Sequence, residues 1–421
     1  MPERQRDCRQ NVTNLQLTIA PVESETSSPK PRNVGNDLMP YAATRITCDA
    51  DSHIMETPDW ISKHADPSIR EALLPLGLAK AGRASIDFIN RQVDRLKDPA
   101  KTAQISHDVV RGSKGWSAYG AFDSAERSKA LDDLGFSRQL VFSTFAATQY
   151  LRHDDLRIRY GGIRAHNRAM AAFCSVDKRL LAVGQISLAD TDLAVQEIKE
   201  GIRLGCKTFW IPSAPAGERS PGHTDLDPVW QLLCEESIPF VLHIDGAMPL
   251  LPKAYNNNGR PRPVDQLGGG ENLRVKDFMA LTFAPQLFLA SMVFDGVFDR
   301  FPALRGGVIE LGAGWVPEFL RTLDRGQRGF GKTDPLVASL KLPASDYIRR
   351  QIKFTPFPTE DVGRIIREVG PDMFLFSSDY PHPEGTDDPI GRFEKNLEGI
   401  SEEAKEKFYR VNFEVTFGPS H

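Results

Sequence analysis

The chain is poor in cysteine and has no closely spaced pair. Cys8, Cys48, Cys174, Cys206 and Cys234 are scattered over 421 residues. That excludes a zinc ribbon and a disulfide framework, and it fits free thiols in a reducing compartment. A dominant charge sign is also missing. Lys plus Arg number 52 against 56 Asp plus Glu, a net of -4, so nothing pulls the whole chain towards nucleic acid or an anionic membrane surface. Long apolar runs are scarce: the most hydrophobic stretch, Leu287 to Val297, is broken by Asp295 and Gly296. No run reads as long and apolar enough to cross a bilayer, and Met1 to Asn11 lacks the apolar segment of a signal peptide. The expectation is a soluble cytoplasmic protein that binds neither nucleic acid nor membrane.

What is present is a regular alternation. Residues 1–40 are rich in Ser, Thr, Pro, Asn and charge and read as a disordered tail. From 41 to 421, short β-branched or apolar runs alternate with amphipathic stretches. The strand candidates are Ile46–Asp49, Gln139–Ser143, Leu181–Ser187, Cys206–Ile211, Pro239–His243, Gly306–Leu311, Ile352–Thr355 and Met373–Ser377. Ile163–Cys174, Leu193–Leu204 and Pro228–Glu236 carry apolar residues at helical spacing. Strands alternating with helices imply a parallel sheet, and eight of them point to an α/β fold of the (β/α)8 barrel type. A doubly wound open sheet is the alternative, weakened because no Gly-rich loop follows the first strand. Two insertions follow strand ends: residues 57–138, expected to form a helical cap, and 244–275, expected to be a mobile active-site loop.

The chemistry sits at those strand ends. Asp49-Ala50-Asp51-Ser52-His53-Ile54-Met55-Glu56 follows the first apolar run. In extended chain, residues two apart share a side, so Asp51 and His53 face together. A carboxylate beside an imidazole is half of a divalent metal site; a polar turn is the competing reading. The fifth strand delivers His243, the sixth Glu310 and the eighth Asp379, followed by Tyr380-Pro381-His382. Each has a bland alternative: a core histidine, a carboxylate buried against an arginine, a turn residue. Their joint placement at one barrel mouth favours Zn²⁺, Mn²⁺ or Fe²⁺. His223, Asp245 and Trp210 lie on neighbouring strand ends and loops and are candidate substrate contacts. His166-Asn167 falls within an amphipathic stretch and reads as structural.

These segments resemble the amidohydrolase-related family 2, the group of aminocarboxymuconate-semialdehyde decarboxylase-like metal-dependent hydrolases. The resemblance is carried by Asp49–His53, by Asp227-Pro228-Val229-Trp230 leading to Pro239–His243, by Gly296–Leu304 and by Ser378–Pro383. It implies a barrel with metal at its mouth. The usual His-x-His motif is Asp51-x-His53 here, the fifth-strand ligand maps to His243, and the sixth-strand histidine maps to Glu310. Asp379 maps to the aspartate that touches metal and handles the proton of water. Asp379 and Glu310 are therefore the expected catalytic residues, and Asp51, His53, His243 and Asp379 the expected ligands. The sequence around Cys206–Ile211 offers no lysine at the C-terminal end of strand four. Extra carboxylates shift preference from zinc towards manganese or iron. Glu56, Glu310 and His382 could complete a second metal position. The resemblance thus implies a hydrolase or decarboxylase of a small organic molecule. A dinuclear iron or manganese oxygenase is one rival, and a non-catalytic partner subunit is another. A homo- or hetero-oligomer is expected.

Overall fold

A computed structural model describes residues 39–73, 83–103, 105, 108–151, 153–244, 250–261, 274–383 and 385–419. The expected tail (all but its last two residues), most of the expected mobile loop, and Asp245 lie outside these residues.

The expected barrel is observed. Its first strand is interrupted: Cys48–Asp49 and His53–Ile54 both pair in parallel with Arg138–Ser143. The ladder then runs, always parallel, through Leu180–Gln185, Thr208–Trp210, Phe240–His243, Gly306–Ile309 and Ile352–Phe354. The eighth stave, starting at Met373, has little regular ladder, but it closes the gap. Leu375 N–H donates to Phe354 O at 2.9 Å on one side, and Ala50 N–H donates to Phe376 O at 3.0 Å on the other. Further along, Asp379 N–H donates to Asp51 O at 2.9 Å and His53 N–H to Tyr380 O at 2.7 Å.

Strand residues are buried throughout, as a parallel sheet covered by helices requires. The crossover helices start and stop on local signals. Asp190 caps Thr191–Leu204 by accepting from Leu193 N–H, and Gly205, at φ 111°, ends it in a left-handed turn. Leu156–Cys174 is longer than the periodic stretch suggested, because Asp155 caps it nearly two turns earlier. Within it, His166 Nε2 lies 2.9 Å from Ser143 Oγ, the structural role expected for this residue. Cys48, Cys174 and Cys206 are buried and Cys234 is half-buried, and none of these four forms a disulfide.

The 57–138 insertion holds the helices Trp60–His64, Arg83–Arg95, Pro99–Ala103 and Ser124–Leu134. A buried two-point ion pair ties it together, Arg95 to Glu126 at 2.7 and 3.1 Å. One expectation needs correction. Val275–Phe294 is long and apolar enough, by length and composition, to cross a membrane. Reading from Leu287 missed it, because its apolar character begins twelve residues earlier. In the fold it is two helices, Val275–Ala280 and Phe283–Phe294. Pro285, Phe288, Leu289, Met292 and Val293 of the second are buried in the protein.

Candidate metal centre

The mouth of the barrel gathers the residues that the strand ends deliver. His243 closes its strand. Glu310 and Asp379 come just after theirs, both in left-handed backbone at φ 56°. Such conformations cost of order 1–3 kcal/mol for a non-glycine residue and persist where neighbours enforce them. Here Glu310 N–H donates to Thr355 Oγ1 at 2.8 Å, and Asp379 N–H is held by Asp51 O.

The side chains converge. His243 Nε2 lies 3.4 Å from Asp51 Oδ1 and 3.3 Å from Glu310 Oε2. His53 Nε2 lies 3.2 Å from Asp51 Oδ1, 3.6 Å from Asp379 Oδ1 and 4.0 Å from Glu310 Oε2. Asp51, His53, His243 and Glu310 each offer one atom within 4.8 Å of all the others. So, as a second group sharing His53, do His53, Asp379 and His382. Asp379 is the most accessible, its side chain 17% exposed against 1–2% for His53, Asp51 and His243.

Hydrogen bonding shows which atoms face inward as lone pairs. His243 Nδ1 is 2.9 Å from Ile244 O and carries a proton, so in the neutral ring Nε2 is left as an acceptor. Nε2 then faces two carboxylate oxygens, which are acceptors too. Both ring nitrogens of His53 and Asp379 Oδ1 are buried without a hydrogen-bond partner. An inward cluster of acceptors calls for a positive charge between them. Burial pushes His53 down to about 4, with the His382 ring adding to the effect, so His53 is a neutral ring at physiological pH.

Two carboxylates serve the frame instead. Asp49 accepts from Ser378 N–H at 2.8 Å, Ser378 O–H at 2.6 Å and the Gln139 amide at 2.8 Å, linking the first, second and eighth staves. Burial nevertheless raises it to about 7. Glu56 was expected at a second metal position. Its Oε1 accepts from the N–H groups of Thr144, Phe145 and Ala146 at 3.1, 3.0 and 3.0 Å, and it stands outside both donor groups. Burial raises it, too, to about 7. Of the other two residues expected there, Glu310 falls in the first donor group and His382 in the second: His382 Nδ1 is 2.9 Å from Asp379 Oδ1, and its ring stacks on His53 at 3.8 Å.

Of the expected substrate contacts, Trp210 is 3% exposed, with its ring 5.1 Å from His243. Phe142 packs on the same imidazole at 4.4 Å. His223 lies on a loop with its side chain 43% exposed, and its Nδ1 accepts from Asp225 N–H at 3.1 Å, a local turn. Several contributors carried no sequence signal. Thr144 reaches His382 Nε2 at 2.9 Å. Arg127, fully buried on the insertion, donates to His53 O and lies 5.1 Å over the Tyr380 ring. A lone threonine or an arginine in a helix has no pattern; only the folded contacts reveal them.

Fold and site together define a (β/α)8 barrel with converging imidazoles and carboxylates at the C-terminal mouth. The amidohydrolase family model matches residues 48–413, and the chain belongs to that family of enzymes. Gamma-resorcylate decarboxylase of Polaromonas sp. strain JS666 is 23% identical over 290 residues, 67% of this chain and 83% of that protein. Among solved structures, an amidohydrolase of Mycobacterium avium subsp. paratuberculosis K-10 superposes with TM-score 0.69 at 21% identity, covering 89% of this chain and 99% of that one. The 5-carboxyvanillate decarboxylase of Novosphingobium aromaticivorans, solved with manganese and 4-hydroxy-3-methoxy-5-nitrobenzoic acid, gives 0.57 at 18% identity, covering 89% and 96%. At these identities the structures establish a shared fold.

Proposed function

We propose that this protein is a metal-dependent decarboxylase or hydrolase of a small organic acid, with Asp51, His53, His243, Glu310 and Asp379 as the residues that hold a divalent cation. The observation that carries the reading is the inward set of acceptors, above all His243 Nε2 facing Asp51 and Glu310 at 3.4 and 3.3 Å while Nδ1 is committed to Ile244 O. Two imidazoles with carboxylates fit Mn²⁺, Fe²⁺ or Zn²⁺, and the oxygen share favours the first two. A bound cation would polarise a substrate oxygen and acidify a coordinated water.

The chain's own groups supply the rest. Phe142 and Trp210 wall His243 with aromatic surface and keep water from it. Asp379, at the accessible edge, is placed to carry the proton. In hydrolysis it would take one from water and give it to the leaving group. In decarboxylation of a hydroxyaromatic acid it would take the proton of the substrate's hydroxyl group and pass it to the ring carbon that bears the carboxylate. The C–C bond then breaks, its electrons return to the ring, and CO₂ departs. The decarboxylases among the relatives support the second of these. The test is elemental analysis of protein purified without added metal, followed by CO₂ release from hydroxybenzoates including γ-resorcylate and 5-carboxyvanillate. Stoichiometric manganese, iron or zinc with CO₂ release supports the reading; metal-free protein that takes up none sinks it.

A second reading is favoured by the His53–Asp379–His382 group, which offers a second cation position sharing His53. It is dinuclear oxygen chemistry, and it predicts two redox metals per chain and substrate-dependent O₂ uptake.

A further inference from the structure

The loop after the second strand connects a buried carboxylate to the site through one side chain. Thr144 has a single hydroxyl proton. Its Oγ1 lies 2.8 Å from Ile54 O, which can only accept, so the hydroxyl donates there. The same oxygen lies 2.9 Å from His382 Nε2. With its proton committed, it accepts, and His382 Nε2 must be the nitrogen that carries hydrogen. In the neutral ring Nδ1, the other nitrogen, is then the lone pair, and it is the atom 2.9 Å from Asp379 Oδ1. Two acceptors at that separation repel unless a positive charge sits with them. The backbone of Thr144 is itself fixed, its N–H donating to Glu56 Oε1 at 3.1 Å. Both His382 and Thr144 are buried.

We propose that Thr144 is a positioning residue that selects the His382 tautomer, so that Nδ1 is presented beside Asp379 as a ligand atom for a divalent cation. The inference rests on the metal reading above and adds His382 as a donor and Thr144 and Glu56 as its supports. Supporting partners of metal-bound histidines are typically worth about 10–100-fold in metal affinity.

The measurement is Mn²⁺ affinity, by chelator competition, of the wild type and of Thr144→Val, Thr144→Ser and His382→Ala. Melting of the metal-free forms checks the fold. Thr144→Val should bind about 10–100-fold more weakly, Thr144→Ser should restore most of the loss, and the Thr144→Val/His382→Ala pair should be no weaker than His382→Ala alone. Wild-type affinity in Thr144→Val, with His382→Ala impaired, overturns the role of Thr144 and leaves the metal reading standing. Wild type that takes up no Mn²⁺, Fe²⁺ or Zn²⁺ overturns both. Nitrogen-15 NMR of histidine-labelled metal-free protein does not depend on how the variants fold. His382 protonated at Nε2 is expected; protonation at Nδ1 refutes the proposal.

Discussion

At the scale of the residue, the site depends on where lone pairs point. Asp379 combines the accessible edge of the cluster with contact to both His53 and His382. Asp379→Asn keeps the size and one acceptor oxygen but cannot take a proton. It should fold, with an unchanged far-UV CD spectrum, and lose about 10²–10⁴-fold in kcat. Turnover within a few-fold of wild type would remove the proton-carrying role. The sequence made Asp51, His53, His243, Glu310 and Asp379 visible, because period-two facing and strand ends are local rules. It gave no sign of how Glu56 is held, because nothing local reveals which amides satisfy a buried carboxylate. Those of Thr144 to Ala146 lie about ninety positions away. Removing that clamp has a cost. Glu56→Ala would strand three N–H groups, those of Thr144 and Ala146 buried, so the apparent stability should fall by several kcal/mol, each buried stranded group costing about 1–3 kcal/mol. Urea titration reads this, and an unchanged midpoint would show that the loop repacks freely.

At the scale of the element, strand positions were legible to within a few residues, and the errors have causes. The sixth strand was expected to reach Leu311 but stops at Ile309, because Glu310 leaves the extended region for φ 56°. The apolar run continues through Leu311, so hydrophobicity does not register the backbone turn that aims the side chain. The same strand shows how closely neighbours fit. A methyl group built on Gly306 falls 2.6 Å from the Phe240 ring, on the strand beside it. Phe240 is wholly buried, so it cannot swing away into solvent. Gly306→Ala should therefore cost about 1–3 kcal/mol, the usual penalty for overpacking a full core. His243 lies three residues beyond Phe240 on that strand, so metal affinity should fall along with stability. A variant as stable as wild type in denaturant would mean that the two strands separate more easily than their hydrogen bonding suggests.

At the scale of the whole molecule, the barrel is tied shut by the site itself. The eighth stave has little ladder of its own, and Asp51, His53 and Asp379 supply hydrogen bonds that join it to the first. Those same residues face one another as buried acceptors, so the closure carries internal repulsion that a cation relieves. Sequence periodicity showed eight staves but not this coupling, which exists only once the chain closes. Folding and metal binding should therefore be linked, with the native state stabilised by RT ln(1 + [M]/Kd). Free metal at a thousandfold over Kd corresponds to about 4 kcal/mol. Chelation should lower Tm, and Mn²⁺ should restore it. His243→Ala, lacking a central donor, should melt lower and respond weakly to either. If wild type and His243→Ala shift equally on chelation, the stabilising ion binds elsewhere and the mouth of the barrel is not where metal and fold are coupled. If only the wild type shifts, the ion that closes the barrel is bound where His243, Asp51 and Glu310 meet.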